Sequence, residues 1–177
     1  MENQQPVEKA TNRLFGYLLI TVFFVVVLFA GLFAIKGYFA SQEEKNFRSR
    51  ASALVLASES LGTLADQGVD NAEFASLLGD VKAQYSAAGD WPLKYTAANY
   101  EYVQAIQGWS LASEVWDAKV VQNSEYAFQD SVDLDGLSTY LGIGTSKLKF
   151  FTASDLIRQL MINSKEHAEK GKTLLGY

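Results

Sequence analysis

Few residues of this chain have side chains that could carry out chemistry. His167 is the only histidine among 177 residues, and there is no cysteine. Thiol catalysis, disulfides and cysteine-based metal sites are therefore excluded. A catalytic or metal-binding role for His167 would need partner side chains that the sequence does not show, because charged residues surround it on a predicted helix. We interpret His167 as a solvated surface residue and predict a non-enzymatic protein without cofactor or metal site.

Two short motifs are similar to binding loops but lack essential positions. The SxDxDG sequence at 131–136 has the spacing of the start of a calcium loop, yet its first ligand position is Ser, and Gly142 stands where the bidentate Glu belongs. The GIGTSK sequence at 142–147 fits neither the P-loop nor the dinucleotide fingerprint. We interpret both motifs as turn or helix-capping sequences.

Aromatic residues are crowded between residues 91 and 126. Trp and Tyr dominate the energetics of protein–protein interfaces, so an exposed group of them would bind a partner. In a helical domain, however, most of these side chains are expected in the core. Both interpretations stay open at this point. The candidate partner-binding residues are Trp91, Tyr95, Tyr102, Trp109 and Trp116.

The elements that position these residues are predicted from helical periodicity. A helix is expected after Asp70, because Asp70 and Glu73 have the spacing of a capping box, and Val69 and Phe74 that of a hydrophobic staple. Gly89 is expected to end this helix. Gly68 separates it from the preceding helix, so the two are predicted to form an antiparallel pair.

Residues 92–123 predict a second helical hairpin. Pro92 opens a third helix, since proline is well tolerated in a first turn. Gly108 is expected to end that helix, and Ser110 to cap a fourth. Small Ala98, small Ala112 and bulky Trp116 give this hairpin a pattern that resembles a tetratricopeptide unit, although no second copy is visible.

The predictions for the C-terminal third are uneven. Residues 124–151 are expected to be irregular, with a short extended segment at 147–151. Thr152 and Asp155 then form a capping pair for a last helix with one apolar face. The fold class is therefore mostly α, with about six helices.

Residues 36–67 predict a juxtamembrane amphipathic helix. Phe47, Ala51, Leu54, Ser58, Leu61 and Ala65 recur at alternating spacings of four and three, which is a heptad-like stripe. The stripe is expected to pack on the protein's own domain. The alternative is self-association through residues 47–65, or pairing with a neighbouring membrane subunit.

Residues 14–35 predict a transmembrane helix. They include no charged residue, and sixteen of the 22 are Leu, Ile, Val or Phe. A helix of this length spans roughly 33 Å, which matches a hydrocarbon core of about 30 Å. A signal peptide would have a shorter apolar core and a small-x-small cleavage site, whereas a cut after Ala40 would place Tyr38 in that site. The lipid bilayer is thus the first predicted partner.

The distribution of charge argues against one class of partner and is relevant to the side of the membrane on which the domain lies. The net charge is −5, and the acidic excess lies after the apolar helix, which argues against nucleic acid. Two basic residues precede residues 14–35 and four follow closely, so a simple count places the domain in the cytoplasm. A short basic tail at 1–13 also suits an N-terminus that stays inside. We expect the domain on the periplasmic side of an inner membrane.

The sequence therefore predicts a polar tail (1–13), a transmembrane helix (14–35), a juxtamembrane helix (36–67) and a soluble helical domain (68–177). This outline is similar to that of anchored periplasmic proteins that assist secretion. The expected function is a single-pass interaction protein, an accessory or assembly subunit of a membrane protein complex. The alternative is a sensory or ligand-binding helical ectodomain.

Overall fold

The structure is a computed structural model that describes residues 5–67 and 70–177, with the side chains of residues 21–64, 67 and 70–177. The described residues are mostly helical and include no strand. The helices are α1 (Gln5–Gln67), α2 (Asn71–Ala88), α3 (Thr96–Gln122), α4 (Phe128–Ser131), α5 (Leu134–Leu141), α6 (Thr145–Leu148) and α7 (Ala153–Leu175), with a 3-10 turn at Leu93–Tyr95. The chain divides into two compact units, one ending at Asn46 and one formed by Phe47–Tyr177.

The first unit holds the apolar part of α1. Among the described residues, one helix is long and apolar enough to cross a membrane, and it lies near the N-terminus. Its most apolar window has a mean hydropathy of 2.2, and none of that window is buried inside the protein. The side chains of Phe23, Leu28 and Phe33 are all exposed. This helix overlaps the predicted segment 14–35, of which residues 14–20 have no described side chains.

In the second unit, four of the described helices form an up-down-up-down bundle. These are α1 from Phe47 onward, α2, α3 and α7, and neighbouring helices in this order run antiparallel. The contacts that define the directions are Asn71–Asp117 and Tyr85–Asn99 between α2 and α3, Glu101–His167 and Lys119–Ser154 between α3 and α7, and Glu59–Lys172 and Arg48–Tyr177 between α1 and α7. The connection between α3 and α7 carries α4, α5 and α6.

The heptad-like stripe of α1 belongs to the core of this bundle. Phe47, Ala51, Leu54 and Leu61 are buried, and Phe47 stacks on the ring of Tyr95 with centroids 5.1 Å apart. This confirms the prediction that the stripe packs on its own domain. A second copy of the chain would have to displace this packing in order to pair through residues 47–65. Ala65 lies outside the side chains that the structure describes.

Two predicted helix starts are confirmed. Asp70 caps α2 by accepting a hydrogen bond of 2.8 Å from the backbone N–H of Glu73. Thr152 and Asp155 form a complete capping box at α7, in which each side chain accepts from the other residue's backbone N–H. The proposed staple residue Val69 lies outside the described residues.

The predicted break at Gly108 is wrong, because α3 runs without interruption from Thr96 to Gln122. The tetratricopeptide-like hairpin at 92–123 is therefore not formed, and Ser110 is an interior helix residue whose hydroxyl donates to the Ile106 carbonyl. Gly108 serves tertiary packing instead. A Cβ at this position would lie 2.2 Å from both Ser164 Oγ and the Tyr140 hydroxyl oxygen.

Residues 124–151 are more regular than the sequence predicts. Three short helices fill this segment, and Asp133 caps α5 by accepting from the Asp135 N–H. The extended segment expected at 147–151 is also wrong, because the chain there completes α6 and turns. Leu148 is fully buried, and this burial favours a tight turn that directs one apolar side chain inward.

The packing at Gly108 leads to a direct prediction. Gly108→Ala should destabilise the domain by about 1–3 kcal/mol, because the added methyl group has to displace buried atoms of two other elements. The matched control is Gly79→Ala in α2, where a Cβ meets nothing within 4 Å. That change should stabilise by about 0.5–1 kcal/mol, since alanine is the better helix former. Thermal unfolding followed by circular dichroism measures both.

A second variant tests the stated cause. Combining Gly108→Ala with Tyr140→Phe and Ser164→Ala removes both oxygens that the methyl group meets, so part of the lost stability should return. If Gly108→Ala and Gly79→Ala raise the stability of the domain equally, α3 and α7 are not in close contact at this point.

Candidate functional site

The five predicted partner-binding residues do not form one exposed patch. Tyr102 and Trp109 are 0% exposed and Tyr95 is 6% exposed, so all three belong to the core. Trp91 and Trp116 are half-buried and pack against that core. A partner cannot reach the three buried side chains unless the domain opens. Trp116 is the half-buried member of the set that lines a surface groove.

We name this depression the α3/α7 groove; it has a volume of about 490 Å³. Its lining residues are Trp116, Lys119, Ser154, Ile157, Arg158, Met161 and Ile162. The Trp116 ring is supported from behind by Phe74, with ring centroids 5.8 Å apart. A second depression around Phe150 and Phe151 shares Arg158 and Ile162 with the groove, and Phe150 is 86% exposed. The two form a continuous surface that combines apolar side chains with the charged side chains of Lys119, Asp155 and Arg158.

One edge of the α3/α7 groove is held by an electrostatic contact. Glu125 accepts from the ammonium of Lys119, and also from the backbone N–H of Ser154 at 3.0 Å and its hydroxyl at 3.1 Å. The bond from Lys119, and then that from the Ser154 backbone, lower the pKa of the Glu125 carboxyl. The carboxylate thus stays charged and joins the end of α3 to the start of α7.

A separate depression, which we name the polar groove, lies between α1, α3 and the C-terminal half of α7. Its volume is about 310 Å³. The residues that line it are Val55, Ser58, Glu59, Gly62, Thr63, Tyr102, Lys165, Ala168, Glu169 and Lys172. Two carboxylates and two ammonium groups thus meet around a small volume.

The charges of the polar groove are arranged around Lys172. Its ammonium donates to Glu59 and lies 3.9 Å from Glu169. The hydrogen bond that Lys172 donates to Glu59, and then the negative charge of Glu59, raise the pKa of Lys172. Lys172 therefore links α7 to α1 across the groove.

The Tyr102 hydroxyl is the most unusual group of the polar groove. It is fully buried, and within the described part of the chain it has no hydrogen-bond partner. Burial is the main cause that raises its pKa, followed by the charges of Glu169 and Glu59. The ring is fixed by Trp91, whose centroid is 6.0 Å away, and by Gly171, where a Cβ would lie 2.9 Å from the ring. The hydroxyl is therefore neutral and rigidly held, and it is shielded from solvent.

His167 is not the solvated residue that the sequence indicated. Its Nδ1 lies 2.6 Å from Glu101 Oε2, and its side chain is only 28% exposed. The ring of Tyr140 is next to it, with centroids 6.3 Å apart, and the Tyr140 hydroxyl lies 3.3 Å from Ser164 Oγ. These contacts connect α3, α5 and α7, so His167 takes part in the packing between helices.

Sequence reasoning missed the polar groove for a clear reason. Glu59 and Lys172 are 113 positions apart, and each reads locally as a charge on a solvated helix face. Only the antiparallel pairing of α1 with α7 brings them together. The one local signal was Tyr102, a polar aromatic residue within an apolar helical face.

The described residues contain no group of three or more His, Cys, Asp or Glu side chains that could hold a metal ion. Comparison of the chain with protein-family models, with curated proteins and with solved structures finds no match in any of the three.

Proposed function

We propose that this chain is a single-pass, membrane-anchored interaction protein without enzymatic activity, and that it acts as an accessory or assembly subunit of a membrane protein complex. The observation that carries the proposal is the α3/α7 groove, in which apolar and basic side chains share one surface of a domain that follows a membrane-competent helix. The lipid bilayer and another subunit of the complex are the two partners.

The proposed membrane anchor is supported by the unfavourable free energy of exposing the apolar part of α1 to water. None of the most apolar window of α1 is buried by the rest of the chain. In water this surface would be strongly unfavourable, whereas in lipid each Leu, Ile, Val or Phe contributes about 0.3–0.6 kcal/mol to insertion. A helix also satisfies its own backbone hydrogen bonds, as a lipid environment requires.

The composition of the α3/α7 groove suits a protein partner. Trp, Met and Arg are all enriched at interfaces, and Trp116, Met161 and Arg158 line one continuous surface. An amphipathic helix of a neighbouring subunit would place apolar side chains on Trp116 and Ile162. A carboxylate on that helix would complement Arg158 and add specificity.

A substitution in the α3/α7 groove should prevent binding of the partner. Ile162→Glu should abolish co-purification of partner subunits from mild detergent, because it places a carboxylate in the apolar centre of the surface. Val103→Glu is the matched control, since Val103 is 40% exposed and Ile162 is 42% exposed. Val103 lies in a different cleft, with Lys82 and Tyr85, so that variant should keep the partners.

Mass spectrometry of the two purified variants decides between the outcomes. Loss of defined partners from the Ile162 variant alone supports the accessory-subunit function. If the parent protein purifies alone, or if both variants keep the same partners, the α3/α7 groove is not the binding surface.

For orientation, we propose that the domain lies on the periplasmic side. Of the four basic residues that follow the apolar segment, Arg48 and Arg50 fall within the folded unit Phe47–Tyr177. Both still lie within about 15–20 residues of the apolar segment and count toward a cytoplasmic domain, whereas the short basic tail at 1–13 suits an N-terminus that stays inside. The Arg48 guanidinium is also engaged, 5.9 Å from the centroid of the Tyr95 ring.

The absence of cysteine permits a test of both the span and the side without background labelling. Single-cysteine variants at Gln4, Leu28 and exposed Ala87 would be treated with a membrane-impermeant maleimide in cells with a permeabilised outer layer. Labelling is expected at position 87 only, with position 4 reacting after lysis and position 28 only after denaturation. Labelling of position 4 instead of 87 would reverse the orientation, and labelling of position 28 in intact membranes would rule out the span.

A further inference from the structure

The turn between α2 and α3 presents a large apolar side chain to solvent. Leu93 is 93% exposed, the highest fraction among the large apolar side chains that the structure describes. It opens the 3-10 turn Leu93–Tyr95 and directly follows Trp91 and Pro92. Single exposed leucines are common on protein surfaces, so exposure by itself assigns no role to Leu93. The residues around it indicate what covers it.

Aromatic packing holds this turn rigid. The Phe47 ring stacks on Tyr95 with centroids 5.1 Å apart and meets the Trp91 ring edge-on at 5.2 Å. The Tyr95 backbone N–H donates to the Pro92 carbonyl at 2.8 Å, which closes the turn. Leu93 therefore cannot fold back onto the core without breaking these contacts, and another surface has to cover it.

Basic side chains surround the turn, although the chain as a whole is acidic. The Lys94 ammonium lies 4.9 Å and the Arg48 guanidinium 5.9 Å from the centroid of the Tyr95 ring. The Arg50 guanidinium lies beside the glycine that ends α2, 3.3 Å from where a Cβ would be. Within the same compact unit Asp90 adds one carboxylate, so these side chains are net positive. An apolar tip among cations is complementary to a surface of anionic phospholipids.

The covalent chain keeps this turn close to the proposed anchor. Phe47, which packs against the turn, is the twelfth residue after Ile35, where the predicted transmembrane helix ends. Twelve residues reach at most roughly 40 Å even when fully extended. A tether of this length makes a lipid contact intramolecular, so that even a weak contact is formed for much of the time.

We propose that the turn Leu93–Tyr95 binds the surface of the bilayer that holds α1, with Leu93 inserted at the boundary between headgroups and acyl chains and with Lys94, Arg48 and Arg50 next to anionic phosphate groups. This inference rests on the membrane anchor of the proposed function. A domain held to the bilayer by both the chain and this turn loses rotational freedom. That loss lowers the entropic cost of binding a subunit in the same membrane.

The test uses the full chain, reconstituted in nanodiscs of phosphatidylcholine with or without phosphatidylglycerol. The chain has no cysteine, so a fluorophore can be attached to Leu93→Cys alone. Its emission should be quenched by spin-labelled lipid and protected from aqueous acrylamide, and both effects should be larger with phosphatidylglycerol. Val121→Cys is the matched control, since Val121 is 82% exposed but lies in the last turn of α3, whereas Leu93 precedes the first. The probe at position 121 should stay open to acrylamide.

A second variant tests the charges. Lys94→Gln combined with Arg50→Gln should fold like the parent, because both side chains are exposed. It should lower lipid quenching at position 93 by about twofold or more in the anionic nanodiscs, since each cation near an anionic surface favours the contact. Quenching in pure phosphatidylcholine should not change. Equal quenching of parent and variant in the anionic nanodiscs would show that anionic headgroups are not recognised.

A probe at Leu28→Cys separates this inference from the anchor on which it rests. Lipid quenching at position 28 but not at 93 would overturn the inference and leave the anchor intact, whereas no quenching at position 28 would contradict the anchor itself. Protection of position 93 from acrylamide without lipid quenching would mean that protein, and not lipid, covers the turn. Equal lipid quenching at positions 93 and 121 would show that the fluorophore inserts by itself, and would also overturn the inference.

Discussion

The close contact between α3 and α7 is the constraint on which the rest of the domain depends. Gly108 lets the two helices approach until Ser164 and Tyr140 fill the space that a Cβ would occupy, and Gly171 does the same for the Tyr102 ring. Interiors packed this tightly tolerate little added volume. Because both grooves are bounded by α3 and α7, their shapes follow from this one contact.

The two grooves divide α7 between them. Residues 154–162 of its N-terminal half line the α3/α7 groove, whereas residues 165–172 of its C-terminal half line the polar groove. A partner helix in the α3/α7 groove would therefore contact the same helix that lines the polar groove.

Features that depend on residue spacing within one helix could be predicted from the sequence, whereas contacts between helices could not. The stripe from Phe47 to Leu61 and the caps at Asp70 and Thr152 depend on spacing within one helix, and all are confirmed. Gly108 was misinterpreted because a glycine that ends a helix and one that permits close helix packing are identical in sequence. The polar groove depends on residues from three helices, so no local pattern contained it.

Native-state hydrogen exchange of the full chain tests the central claim most directly, because it reports which helices open last. If the α3–α7 contact organises the domain, amide protons near Tyr102–Ala112 in α3 and Leu160–Ala168 in α7 should exchange only through global unfolding. Amides of α2 around Leu78 and Val81 should exchange earlier, through local opening. Faster exchange in α3 and α7 than in α2 would contradict the account.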